Sequence, residues 1–144
     1  MWNTEQCERL ALEEQLLARY MSGFGFYDRT GNAYVQGWCT TNGGNNYALR
    51  LCLPPDFPYD EPKLWVVSPQ TLWLHGNRGT VNSLGTSHAF HVYGNDSGYV
   101  NICHTSDWDA SITIVKVLLK GILWCEAYDG HLRTGQDLAD FLNG

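Results

Sequence analysis

Proline places the firmest constraint on the fold of this chain, because four of its five prolines lie between positions 54 and 62. Proline has no amide hydrogen to donate to a sheet and fixes φ at about −65°, so neither a helix interior nor a central strand can pass through this segment. On either side, Tyr47–Leu53 and Lys63–Val67 are largely apolar, as strands are. The sequence therefore predicts two strands joined by an irregular, proline-rich connection.

Glycine and asparagine turns divide the chain before the prolines into three predicted strands. These are Phe24–Thr30, Ala33–Thr40 and Tyr47–Leu53, and Lys63–Val67 adds a fourth. Short turns between consecutive strands favour a four-stranded antiparallel meander. The segment Gly76–Ser87 consists mostly of Gly, Asn, Ser and Thr, so it is predicted to be a loop.

Helices are predicted at both ends of that sheet. Asn3–Met21 has apolar residues at helical spacing, and its first residue forms the pattern of a capping box with Gln6. Asp109–Glu126 carries the clearest apolar stripe, and either its first residue or Ser111 can cap it. A short helix, Gln136–Leu142, follows. Helices gathered at the two ends of one sheet predict an α+β fold.

Composition limits the number of domains and the kinds of partner. A chain of 144 residues with 44% hydrophobic residues is predicted to be one domain, residues 1–144. Its net charge of −6 argues against a nucleic-acid partner. No apolar run reaches the roughly 18 residues that a membrane span needs. Acidic residues at the start, Glu5 and Glu8, replace the basic residues of a signal peptide, so we expect a cytoplasmic protein without a membrane partner.

Two sequence motifs lie on either side of Cys103. The pattern P-x-x-F-P-Y-x-x-P-K begins at Pro54, and the pattern W-x-x-x-I-T-I-x-x-V-L-L begins at Trp108. In this order around a cysteine they resemble the ubiquitin-conjugating enzyme (UBC) family. The short step from Cys103 to Trp108 is similar to bacterial relatives, including those in anti-phage operons built around cGAS-like nucleotidyltransferases.

The resemblance implies a UBC-like fold, with an N-terminal helix, a four-stranded meander, an active-site loop and C-terminal helices. It also implies that Cys103 carries the C-terminus of a partner protein as a thioester and passes it to a lysine, a task that suits a thiolate nucleophile. The implied partner has a flexible C-terminal tail and is either a ubiquitin-like protein or a cGAS-like nucleotidyltransferase of bacterial anti-phage defence. Since 144 residues leave no room for an ATP-using domain, either a separate activating enzyme supplies the acyl group or the protein processes the partner's tail itself.

The segment Ala89–Tyr93 departs from the family pattern, because it stands where the family has a His-Pro-Asn triplet. The asparagine of that triplet stabilises the oxyanion of the transfer step, a role that needs a positioned hydrogen-bond donor. One register places His91 in the asparagine position, whereas the other keeps His91 as the histidine and places Tyr93 there. The candidates for the oxyanion donor are therefore His91, Asn95 and Asn101.

Two carboxylates and a histidine near the cysteine are further candidates. Asp107 and Asp109 can attract an amine and accept its proton, although Asp109 suits a helix N-cap equally well, which ranks Asp107 slightly higher. His104 adjoins the nucleophile, but neighbouring side chains of an extended chain point to opposite sides. His88 and His91 have a spacing that metal sites use, yet no paired cysteines complete such a site, so no metal or other cofactor is predicted.

Two other interpretations stay open. The altered triplet favours a catalytically weak, UBC-like binding module that only holds a partner protein, whereas the retained Cys103 favours the enzyme. A zinc hydrolase using His88, His91 and Cys103 is the weakest of the three. Because Cys103 follows a short strand and precedes a polar loop, its thiol is predicted to be more exposed than those of Cys39 and Cys52.

Overall fold

A seven-stranded antiparallel sheet forms the centre of the fold within the residues that the structure describes. The structure is a computed structural model that describes residues 2–29 and 32–142, excluding the side chain of Asp96. The strands are β1 (Phe24–Tyr27), β2 (Tyr34–Thr40), β3 (Asn46–Cys52), β4 (Lys63–Ser68), β5 (Thr86–Ser87), β6 (Val92–Asp96) and β7 (Tyr99–Ile102). They are ordered β1-β2-β3-β4-β7-β6-β5 across the sheet, so β7 lies between β4 and β6.

Helices flank this sheet in the chain, as predicted, which confirms the α+β class. They are α1 (Thr4–Tyr20), α2 (Ile114–Thr134) and α3 (Leu138–Leu142). The predicted capping box of α1 is present, because the Asn3 side chain accepts the Gln6 N–H at 2.8 Å and the Gln6 side chain accepts the Asn3 N–H at 2.9 Å. In the described ranges, none of the helices combines the length and the apolar character that a bilayer crossing requires.

The predicted four-stranded sheet is wrong in its strand count. The meander β1–β4 has the predicted antiparallel order, but β5, β6 and β7 extend the sheet beyond β4. These added strands are only two to five residues long, and β6 contains Gly94 at a φ of 106°. Strand β7 pairs with β4 and β6 through backbone hydrogen bonds, and the sequence alone does not show that this short strand adds to the meander.

The predicted start of the second helix is also wrong. Helix α2 begins at Ile114, and its N-cap is Thr113, whose side chain accepts the Lys116 N–H at 3.2 Å. Neither Asp109 nor Ser111 caps it. Instead, the Asp109 carboxylate accepts the Ser111 N–H at 2.7 Å and closes a separate turn just before the helix. The expectation that Asp109 or Ser111 caps the helix is therefore wrong, because the Asp109 side chain stabilises the turn before it.

Other element boundaries also differ from the predictions, and the meander strands begin or end one to three residues from their predicted bounds. Helix α2 continues past Glu126 to Thr134 and ends where Gly135 adopts a left-handed φ of 80°. Helix α3 begins at Leu138, later than the predicted start at Gln136. The predicted loop Gly76–Ser87 contains strand β5 together with 3-10 turns at His75–Asn77 and Val81–Ser83. Thr30, the predicted last residue of the first strand, lies outside the described residues.

The core lies between one face of the sheet and helix α2. Leu49 of β3 and Leu64 of β4 are fully buried there, as are neighbouring aliphatic residues of β7. A Cβ atom at Gly121 of α2 would come within 2.9 Å of the Leu64 side chain and 3.0 Å of the Leu49 side chain. Glycine thus allows the helix to approach the sheet closely, and Lys120, the residue before it, lines the cavities of the candidate site.

Candidate functional site

Cys103 directly follows β7, at the point where the chain leaves the sheet. Its N–H donates to the His91 carbonyl at 2.8 Å, which continues the pairing of β6 with β7 beyond Val92 and Ile102. The thiol is half-buried, and its sulfur lies 3.8 Å from the Thr105 carbonyl oxygen. The predicted transition from strand to loop at Cys103 is confirmed. The backbone hydrogen bond to His91 holds the backbone of Cys103 in position.

Exposure does not distinguish Cys103 from the strand cysteines. Cys39 and Cys52 are half-buried as well, so the predicted difference in exposure is not observed. Cys7 is exposed and Cys125 is buried. What distinguishes Cys103 is instead the set of polar groups around its sulfur.

The Cys103 thiol opens into a cavity of about 430 Å³. A second cavity of about 290 Å³ adjoins it and extends to Leu123 on α2. Three residues line both cavities together with Cys103, namely His91, His104 and Lys120. The site therefore combines a thiol, two imidazoles and an amine, contributed by three separate parts of the chain.

His91 is held in an unusual backbone conformation beside the thiol. Its φ of 52° lies in the left-handed region, where residues other than glycine are uncommon. Its ring stacks on His88 with centroids 5.6 Å apart, and its Nε2 atom is buried with no hydrogen-bond partner among the described residues. Burial and the neighbouring His88 lower the pKa of His91 below its usual value. The imidazole is therefore neutral at pH 7, with one nitrogen free to accept or donate a proton according to its tautomer.

Tyr93 is a second polar group at the thiol. Its hydroxyl donates to the Thr105 carbonyl oxygen at 2.8 Å, the same oxygen that the Cys103 sulfur approaches. Burial and a hydrogen bond with Cys103 raise the pKa of Tyr93, so the phenol keeps its proton at neutral pH. The sequence suggested Tyr93 only as one register of the altered triplet, and the structure places both Tyr93 and His91 in the cavity.

The two asparagines proposed as oxyanion donors lie elsewhere. The Asn95 side-chain amide donates to the Asn82 carbonyl at 3.0 Å. Asn101 lies in β7 opposite Trp65, and its side-chain oxygen is buried without a partner in the described part of the chain. Neither lines the cavities at Cys103. Of the three candidates, the structure brings only His91 to the thiol.

The two candidate carboxylates are also outside the cavities. Asp107 is exposed in the loop after Cys103, and its N–H donates to the Thr105 hydroxyl at 3.1 Å. The Asp109 carboxylate is engaged by Ser111, a contact that lowers the pKa of Asp109. Neither lines the cavities.

His104 connects the loop after Cys103 to the proline-rich segment through a hydrogen bond. Its side chain is 4% exposed, and its Nε2 atom lies 2.8 Å from the Pro62 carbonyl oxygen, to which it donates. Its Nδ1 atom is buried without a partner in the described ranges. Burial lowers the pKa of His104. The geometry gives His104 a role in holding the loop, although one edge of its ring reaches the cavity.

We expect protonation of His104 to destabilise the fold. Because its pKa is lowered in the folded state, the unfolded chain binds the extra proton below about pH 6.5, and stability falls as the pH drops further. Urea unfolding at several pH values checks this. His104→Gln keeps an N–H donor for Pro62 and should flatten the acid slope. An equal slope in the His104 variant and the unmodified protein contradicts the assignment.

The two sequence motifs contact one another. The indole N–H of Trp108 donates to the Pro58 carbonyl at 2.8 Å, and the Gln6 side chain donates to the Pro55 and Phe57 carbonyls, each at 2.8 Å. Trp108 thereby anchors the loop after Cys103 to the proline-rich turn. The loop after Cys103, the proline-rich turn and α1 form one packed unit behind the thiol.

Three observations bear on the identity of the site. The described residues, 2–29 and 32–142, contain no group of three or more side chains that could hold a metal ion. Lys120, which sequence reasoning did not select, lies seventeen positions beyond Cys103 and is brought to the thiol only by the packing of α2. Comparisons of the chain with protein-family models, curated proteins and solved structures find no match.

Proposed function

We propose that this protein is a UBC-like acyl carrier, in which Cys103 accepts the C-terminal carboxyl group of a partner protein as a thioester and passes it to a lysine. The observation that carries the proposal is the shared cavity of Cys103 and His91. Half-buried Cys103 and His91 line that cavity together, and the His91 Nε2 atom is buried without a hydrogen-bond partner among the described residues.

Loading and transfer place different demands on the site. Exchange of a thioester onto Cys103 needs little catalysis, because a few per cent of an ordinary thiol is ionised at neutral pH. Attack by an amine is harder, since the amine must lose a proton and an oxyanion must be stabilised. His91 is the group available for one of these roles, either as the base that removes the proton or as the donor to the oxyanion. Tyr93, protonated and adjacent, is a second donor.

The nature of the partner is proposed from the two motifs. The proline-rich turn, the short step from Cys103 to Trp108 and the order of helix, meander, loop and helices all resemble the UBC family. We therefore propose a partner with a flexible C-terminal tail, either a ubiquitin-like protein or a cGAS-like nucleotidyltransferase. The setting would be the bacterial cytoplasm during anti-phage defence. A separate activating enzyme would supply the acyl group unless the protein processes the partner's tail itself.

A second candidate is a binding module that holds a partner without transferring it. The observation in its favour is the absence of an asparagine amide from the cavity lining, since Asn95 is engaged with Asn82 and Asn101 lies away from the thiol. A module of this kind needs no reactive thiol. The two candidates therefore differ in the behaviour of Cys103.

The test is the formation of a covalent adduct that a thiol reductant removes. Purified protein is incubated with a cGAS-like nucleotidyltransferase, and separately with a ubiquitin-like protein, its activating enzyme and ATP. We expect an adduct with the summed mass of the two chains from one of these mixtures. It should be absent with Cys103→Ala and retained with Cys7→Ala, which removes an exposed cysteine outside the cavity.

The outcomes separate the two candidates. An adduct that depends on Cys103 supports the acyl carrier. Stable association with a partner that persists in Cys103→Ala, without any adduct, supports the binding module instead. An adduct on Cys7, or none from either mixture, contradicts the proposal.

A further inference from the structure

Two cysteines that the proposed function does not use face each other between the sheet and helix α2. Cys39 of β2 is half-buried, and Cys125 of α2 is fully buried. The Cys125 thiol donates a hydrogen bond to the Cys39 sulfur. Neither residue lines the cavities at Cys103. The pair is therefore a second thiol centre, separate from the candidate site.

The strand register explains why the Cys39 side chain lies on the face of the sheet that α2 covers. Cys39 is opposite Tyr47 in the pairing of β2 with β3, so both side chains share one face. Leu49, two residues after Tyr47, is on this face too, because side chains alternate along a strand. Leu49 lies directly beneath Gly121 of α2, and Cys125 follows Gly121 by one helical turn. Backbone geometry therefore brings Cys125 over the end of β2 that carries Cys39.

Hydrogen bonds hold this end of β2 against the helix. Asp129 lies one turn after Cys125 on α2, and Thr41 lies two residues after Cys39. The buried Asp129 carboxylate accepts hydrogen bonds from the Tyr47 hydroxyl at 2.6 Å and from the Thr41 hydroxyl. These bonds keep the strand end and the helix together, so the two sulfur atoms stay in contact.

The two thiols differ in acidity and in access. The hydrogen bond from Cys125 lowers the pKa of Cys39, although burial and the charges of Glu126 and Asp129 oppose this. The same hydrogen bond, together with burial, raises the pKa of Cys125. Cys39 is thus the thiol that ionises more readily, and its partial exposure lets a small molecule reach it. A thiolate beside a second thiol is the arrangement that favours oxidation by peroxides.

We propose that Cys39 and Cys125 form a redox modification site, in which a hydroperoxide oxidises the pair to a disulfide between β2 and α2. In the first step the Cys39 thiolate sulfur bonds to one peroxide oxygen and the O–O bond breaks. The other oxygen takes up the proton that Cys39 released and leaves as water or an alcohol. In the second step the Cys125 sulfur bonds to the Cys39 sulfur, the S–O bond of the sulfenic acid breaks, and hydroxide leaves with the Cys125 proton as water. The two thiols lose the two electrons that the peroxide gains.

The disulfide closes a long segment of the chain, from β2 through most of α2. Closing such a loop restricts the unfolded chain, so the oxidised protein should resist unfolding better than the reduced protein. We expect the midpoint of urea unfolding to rise by about 1–2 M. Cys103 takes no part in the reaction, so the inference does not depend on the proposed function.

Oxidation of the purified, reduced protein by hydrogen peroxide tests this inference. The remaining thiols are alkylated in denaturant after the reaction, and peptide mapping without reductant identifies the linked peptides. We expect one main linked pair, which contains Cys39 and Cys125. Urea titration of the oxidised protein, with and without reductant, measures the shift in the midpoint.

Matched variants assign the two roles. In Cys125→Ala, the sulfenic acid of Cys39 should persist long enough for capture by dimedone, a carbon nucleophile that reacts with sulfenic acids. Cys39→Ala should leave Cys125 reduced, because that thiol is buried and its pKa is raised. It changes the less buried partner, so it serves as the test if Cys125→Ala does not fold. Cys52→Ala, which changes another half-buried strand cysteine, should form the disulfide at an unchanged rate.

Several results would overturn the inference. One is a main product with another pairing, including any that contains Cys103 or Cys7. Another is treatment that leaves Cys39 and Cys125 as thiols, or that stops at the Cys39 sulfenic acid while Cys125 is present. A Cys39–Cys125 disulfide that lowers the urea midpoint also contradicts it, because the bond would then not fit the folded structure.

Discussion

His91→Ala is expected to slow aminolysis of the Cys103 thioester by about 10²–10³-fold, the range that loss of a positioned base or oxyanion donor produces. The reason is geometric. The His91 carbonyl accepts the Cys103 N–H at 2.8 Å, so the backbone holds the ring beside the thiol, and its Nε2 atom has no other partner in the described residues. Loading of Cys103 should be affected much less, because thioester exchange needs little assistance.

His91→Asn distinguishes the two roles of this residue. Asparagine tolerates the left-handed φ of 52° better than most residues do. It can donate a hydrogen bond to an oxyanion but cannot act as a base near neutral pH. If His91 is the oxyanion donor, the asparagine variant should keep most of the rate, and if His91 is the base, it should be as slow as the alanine variant.

Single-turnover measurements on preloaded protein, with an excess of a small amine, provide these rates. In the base role, the rate per neutral amine should fall as the pH drops through the lowered pKa of His91, because only the neutral imidazole accepts a proton. The asparagine variant should lack that fall. An unchanged rate in His91→Ala excludes His91 from the transfer step.

Arg9→Ala is expected to lower the free energy of unfolding by about 3–5 kcal/mol, the cost of removing one member of a buried ion pair. Arg9 and Glu13 of α1 form that pair at 3.2 Å, and the Glu13 side chain has no exposed area. The guanidinium also donates to the Ala110 and Ile112 carbonyls, and the Glu13 carboxylate accepts the Ile114 N–H at 3.2 Å. Without Arg9, the loop that leads from Cys103 into α2 loses its attachment to α1.

Arg29→Ala is the matched control. Arg29 pairs with Glu14, but the two side chains are 58% and 39% exposed, so its loss should cost at most about 1 kcal/mol.

The effect of Arg9→Ala should also depend on pH. Burial raises the pKa of Glu13, whereas the hydrogen bond from Ile114 and the charge of Arg9 lower it. The penalty of Arg9→Ala should therefore be smaller at about pH 5 than at about pH 7.5, since a protonated Glu13 needs no counter-charge. Urea titrations measure both, and equal losses for the two arginine variants contradict this account.

Local interactions explain which parts of the fold could be predicted. The start of α1 depends on Asn3 and Gln6, which lie within one turn of each other. The strands of the meander are separated by short turns, so their antiparallel pairing follows from sequence neighbours. Cys103 was predictable as the end of a strand because the polar loop begins directly after it.

Other features depend on contacts between distant parts of the chain. A short strand before Cys103 was expected, but its position in the sheet, between β4 and β6, depends on pairing with distant segments. The start of α2 was misplaced because Asp109 is an equally good cap for an isolated turn, and Thr113 caps the helix itself. The candidate carboxylates were chosen by nearness in sequence, whereas the chain turns both of them away from the cavities.

The sequence by itself determined the α+β class, the first helix and the four strands of the meander. It also identified the Cys103 thiol as the candidate nucleophile. Only the tertiary structure decided that His91, Tyr93 and Lys120 surround that thiol and that the asparagines do not. The physical reason is the range of the interactions involved. Capping and turn formation act over a few residues and can be recognised in a sequence, whereas the lining of a cavity depends on the packing of α2 against a sheet whose central strands come from distant segments.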